Sequence, residues 1–186
     1  DFKRVMNLYQ RAIEKNPSDA EGYIKLGLLE TEQYNLDRAL VLLRQAENLS
    51  PDDAAVFVAL GKHFYKKRDY NESLNYFLKA AKINPTDSEI LYYAGLLRLL
   101  FKKDSAKDAI RFFYQSYTVN PENYDALAEW LKLKVLGYEK NFAIKFIRNL
   151  IAAEPENAHY YWALGEIYST NKEYRRAVVY YHKALD

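Results

Sequence analysis

The five prolines of the chain, Pro17, Pro51, Pro85, Pro121 and Pro155, fall 34, 34, 36 and 34 residues apart, and no other feature restricts the fold as strongly. Each stands in a related phrase, NPSDA, SPDDA, NPTDS, NPENY or EPENA, so that Asp19, Asp53, Asp87, Asn123 and Asn157 each follow a proline by two residues. Proline ends a preceding helix because it lacks an N–H and clashes backward, and a short Asp or Asn side chain can accept a hydrogen bond from an orphan N–H of the next first turn. These five residues are therefore predicted helix N-caps. Boundaries recurring at a fixed interval predict stacked units that share one continuous core.

Between caps, apolar residues recur at helical spacing in two stretches per unit, as in Tyr23, Leu26, Leu29 and then Ala39, Leu42, Leu43, Ala46. The predicted helix pairs are 20–33 with 37–49, 54–67 with 71–83, 88–101 with 106–119, 124–137 with 141–153 and 158–171 with 174–185; residues 2–15 read as one further second helix. Only 6 Gly and 5 Pro argue against a many-stranded fold, which needs turn residues far more often. The expected fold class is all-α. The expected organisation is a single domain over 1–186, with an orphan second helix in 1–17 and repeats at 20–53, 54–87, 88–123, 124–157 and 158–186. The additional length of the third repeat is expected in the turn around KKDSAK at 102–107.

With the residue after each cap counted as position one, the sequence resembles the tetratricopeptide repeat family, whose period is about 34 residues. The family's bulky, leucine, small and aromatic residues at positions four, seven, eight and eleven appear as Phe57, Leu60, Gly61, Phe64 and as Tyr161, Leu164, Gly165, Tyr168. The small, bulky, small series of the second helix appears as Ala39, Leu43, Ala46, as Ser73, Phe77, Ala80, as Ala109, Phe113, Ser116 and as Ala177, Tyr181, Ala184. The resemblance implies a right-handed α-solenoid, an α-α superhelix of helix-turn-helix repeats. The fourth repeat departs from the pattern with Trp130 and Leu131, and a leucine in the small slot is expected to splay its helix pair.

Catalysis finds little support in these residues, and a non-enzymatic role is expected. There is no Cys, and His63, His159 and His182 fall in different repeats without a nucleophile or ligand motif beside them, so neither a metal nor another cofactor is expected. Glu30 and Glu32 read as solvated charges on an amphipathic helix. Lys and Arg number 27 against 25 Asp and Glu, a net charge of +2, and the basic clusters lie near helix ends rather than along a stripe; nucleic acid is not an expected partner. No apolar run approaches the roughly 18 residues of a membrane span, so a soluble segment without membrane insertion is expected. The lack of Cys suits a reducing compartment such as the cytoplasm but leaves localisation open. Starting at Asp1 rather than Met, the sequence reads as a piece of a longer protein.

The resemblance further implies that positions two, five, nine and twelve of the first helices line a concave, partner-facing side. The candidate binding residues are Ile24, Leu28, Val58, Lys62, Tyr65, Tyr92, Leu96, Leu99, Lys132, Val135, Trp162 and Glu166. An apolar stripe of this kind fits a protein or peptide partner. The basic clamp by which some family members hold an acidic chain terminus is absent, its positions being filled by Ile24 with Leu28, Ala59, and Glu89 with Tyr93. The alternative is a structural role: self-assembly through exposed terminal repeats as a homo-oligomer, or a spacer or accessory segment of a larger protein, an enzyme included. Most of the 18 tyrosines are expected to fill helix interfaces.

Overall fold

A computed structural model describes residues 2–101, 106–137 and 139–185, the side chain of residue 101 excepted. Eleven helices and no strand occur among the described residues: α1 (Phe2–Lys15), α2 (Ala20–Glu32), α3 (Leu36–Leu49), α4 (Ala54–Lys66), α5 (Tyr70–Ile83), α6 (Ser88–Phe101), α7 (Ala106–Val119), α8 (Tyr124–Leu136), α9 (Lys140–Ala153), α10 (Ala158–Thr170) and α11 (Tyr174–Lys183). Their bounds match the spacing-derived spans within two residues. Residues 102–105, where most of the longer third-repeat turn was expected, lie outside the described residues.

All five predicted caps form. Asp19 accepts from the N–H of Glu21, Asp53 from that of Ala55 and Asp87 from that of Ile90; Asn123 accepts from Ala126 and Asn157 from His159. Within three hairpins the turn uses a residue in the left-handed region that is not glycine: Tyr34 (φ 60°), Arg68 (φ 64°) and Lys172 (φ 62°). Each is held there by its N–H bonding back to the first helix, to Thr31, Tyr65 and Ser169 respectively.

The chain divides into two compact units, Asp1–Leu100 and Phe101–Asp186. In the first, α2/α3 and α4/α5 form hairpins, and α4 packs against both α2 and α3. Their core joins Ile24, Leu43, Val56, Phe57, Leu60, Phe64, Tyr76 and Ile90. Position eight sets how closely the helices approach: a Cβ on Gly27 would lie 2.6 Å from Leu43, and one on Gly61 would lie 2.8 Å from the Phe77 ring. In the second unit Gly165 meets Tyr181 in the same way, at 2.5 Å. There α7 packs on α8, α8 on α9 and α10, and α10 on α11. Leu131 takes the small slot of α8, and the α8 and α9 backbones come close at fewer places than those of the glycine-bearing hairpins, the direction expected of its bulk. Trp130 packs beside it, its ring 5.0 Å from Phe146, 6.1 Å from Phe142 and 5.0 Å from Tyr114.

Glu30 corrects the sequence reading. It is fully buried, not solvated. It occupies position eleven, the slot that is aromatic in Phe64 and Tyr168, and therefore points inward. Its carboxylate is compensated by Arg38 at 3.0 Å and by the Asn35 amide donating at 2.8 Å. A second buried polar contact, Thr31 with His63, links α2 to α4: the Thr31 hydroxyl donates to the Gly27 carbonyl at 2.9 Å, and His63 Nδ1 lies 3.2 Å from the same oxygen. With its one proton committed to Gly27, the hydroxyl is placed to accept from an Nδ1–H of His63. Burial, reinforced by Lys67 and Arg44 and opposed by Asp37, pushes the His63 pKa down.

Candidate partner-binding faces

The candidate residues separate into those spent on packing and those left partly open. In the first unit Ile24 is buried in the core, and Leu28 and Val58 pack against it. Lys62 is tied to Glu89 at 2.6 Å. Tyr65, Tyr92, Leu96 and Leu99 remain half-buried. The last three follow i, i+4, i+7 spacing and so share one stripe of α6. Tyr65 on α4 and Tyr92 on α6 are joined through Tyr93, which lies edge-on to both at 5.4 and 5.7 Å and stacks on Phe77 at 4.6 Å. Tyr93 was not among the candidates, and its signal was the run of adjacent tyrosines in LYYAG.

In the second unit Val135 is buried. Lys132 bridges Glu129 at 2.8 Å and Glu166 at 3.4 Å. Burial works to lower the Lys132 pKa, but the hydrogen bond to Glu129 and the attraction of both carboxylates outweigh it and hold the ammonium above the usual lysine value. Glu166 also accepts from the Tyr181 hydroxyl at 2.6 Å, and burial with that bond pushes the phenol up to about 12. These charges thus compensate one another inside the protein. Trp162 is the half-buried apolar candidate of this unit, and it lines a cleft of about 360 Å³ with Glu122, Asn123, Tyr124, Asp125 and His159. One wall of the cleft is preformed: Tyr124 stacks on His159 at 4.1 Å, meets Tyr160 edge-on at 5.8 Å and accepts a hydrogen bond from Asn157 at 3.1 Å. Burial pushes the neighbouring Tyr160 phenol up to about 12.

No group of three His, Asp or Glu side chains arranged to hold a metal ion occurs among the described residues. No helix among them is long and apolar enough to cross a membrane.

Profiles described as Tetratricopeptide repeat match residues 7–54, 54–87 and 158–186, together more than half of the chain. The chain belongs to the tetratricopeptide repeat family. It is 26% identical to the BBSome complex member BBS4 homolog of Drosophila melanogaster over 95% of its own length and 38% of that protein's. It is 25% identical to the anaphase-promoting complex subunit CDC16 of Saccharomyces cerevisiae over 99% of its length, which is 22% of the yeast protein. The chain therefore spans well under half of either tetratricopeptide relative. Among solved structures, the fold is similar to Pseudomonas aeruginosa pilF, with a TM-score of 0.76, 19% identity and coverage of 96% of this chain and 81% of that one. It is also similar to YrrB, described as a TPR protein with an unusual peptide-binding site, with a TM-score of 0.67, 21% identity and coverage of 96% and 91%.

Proposed function

We propose that the chain is a non-enzymatic protein-interaction module whose first-helix faces hold a peptide or segment of a partner protein. One observation carries this reading: Tyr65, Tyr92, Leu96 and Leu99 leave large apolar side chains only half-buried on first helices α4 and α6. Burying several such side chains against a partner would contribute about 1.5–3 kcal/mol each before ordering costs, enough for micromolar binding. Two further facts support the reading: the relatives are named as members of multisubunit complexes, and one structural neighbour is described by its peptide-binding site.

The test is affinity capture with the native chain beside a Tyr92→Ala, Leu99→Ala variant of unchanged helical circular dichroism. The variant is expected to lose proteins that the native chain retains; identical recovery removes this face from the function.

Self-association is the second reading, favoured by the terminal helix α11. Val178 and Val179 are 52% and 53% exposed there, and Leu185, just beyond the helix, is 84% exposed. Light scattering at high concentration decides it, since a strict monomer is incompatible with assembly through α11.

A further inference from the structure

The cleft between the N-terminal ends of α8 and α10 is built from exceptions to the repeat. Position one is small in the other repeats, Ala20, Ala54, Ser88 and Ala158, but here it is Tyr124. Position two holds His159 in the last repeat, against Glu21, Ala55, Glu89 and Asp125 elsewhere. Position five there holds Trp162. Three ring side chains that hairpin packing does not call for thus line one cavity of about 360 Å³. No lysine or arginine lines it, and the exposed carboxylates of Glu122 and Asp125 have no ion-pair partner among the described residues.

The corresponding cleft of the first unit, about 380 Å³, shows what an ordinary repeat places here. It has no aromatic wall, and Lys25 stands among Asp19, Glu21 and Asp53. In the second unit that compensation is missing and the wall is aromatic. An anion is disfavoured by the two carboxylates, and Asn123 and Asn157 already accept from first-turn N–H groups of α8 and α10. A cation fits both features, because an aromatic face attracts it through the ring quadrupole and the carboxylates through their charge.

We infer that this cleft receives a basic side chain, Lys or Arg, of a partner polypeptide. The inference extends the proposed function, resting on it only in taking the ligand to be part of a polypeptide. Its test uses small probes and so can fail or succeed independently of partner capture.

The protein is titrated with N-acetyl-arginine amide, N-acetyl-norleucine amide and N-acetyl-glutamate amide while the two tryptophan indole N–H signals are followed by NMR; buried Trp130 serves as the internal control. The arginine probe is expected to shift Trp162 saturably and leave Trp130 in place, with the norleucine probe at least about tenfold weaker and the glutamate probe silent. A Glu122→Gln, Asp125→Asn variant, altered only at exposed positions, should weaken the arginine probe about tenfold, and added salt should act in the same direction. Equal binding of norleucine, preferential binding of glutamate, or no shift of Trp162 at the highest arginine concentration each overturns the inference.

Discussion

The α4/α5 and α8/α9 hairpins answer the same packing problem in opposite ways. In α4/α5, Gly61 has no side chain and the fully buried Phe77 ring presses onto the α4 backbone. In α8/α9, Leu131 occupies the homologous slot, the two backbones come close at fewer places, and Trp130 packs with Phe142 and Phe146 beside it. Both interiors are closed, since Leu131 and Ile147 are as buried as Leu60 and Phe77. Dense packing therefore does not require the repeat's consensus residue. It requires that the volumes of two facing positions sum to the space that their helices leave.

Three tests would break or sharpen that comparison. The largest effect is expected from Phe77→Ala, which empties the space that Gly61 cannot fill and should cost about 3–5 kcal/mol in denaturant unfolding. A loss below that of Ile147→Ala would show that the glycine hairpin is not the one relying on a single large ring. Gly61→Ala is expected to cost about 1–3 kcal/mol, because the added methyl meets aromatic ring atoms at 2.8 Å, whereas trimming Leu131→Val should cost less. If the alanine is neutral, the close approach in α4/α5 is not the constraint argued here. The smallest effect is pH-dependent. His63 has a folded pKa below its ordinary 6.5, so the unfolded chain binds more protons, and stability, full above that value, should fall as the pH drops through it toward the folded value. A His63→Gln variant should flatten that limb of the stability profile, and an unchanged slope would assign the dependence to other groups.

The helices and their caps were legible because their signals are local. Proline and the Asp or Asn two residues later lie within a few bonds of the N–H groups they govern, so Asp19 through Asn157 could be placed without knowing what packs on what. The binding faces were harder to read because a face is a residue left over from packing. The same position five is spent in the core at Ile24 and only half-buried at Val58, Tyr92 and Trp162. Whether it is spent depends on neighbours a repeat away. Glu30 was misread as solvated through its chemistry, although its place at position eleven pointed inward. Tyr124 was passed over, although it alone is bulky where the other repeats carry alanine or serine.

A chain assembled from look-alike hairpins has to be kept from docking them out of order, and apolar contacts alone discriminate weakly among them. The hydrogen-bonded pair Thr31 and His63 works as an address. Position twelve, which supplies the hydroxyl, holds Tyr65, Leu99 and Val135 in the next three repeats, so transplanting the α4/α5 hairpin beside any of those neighbours would strand a desolvated imidazole without its small hydroxyl acceptor. Shuffling the gene segments that encode these hairpins would thus be resisted by one bond whose loss outweighs its modest strength.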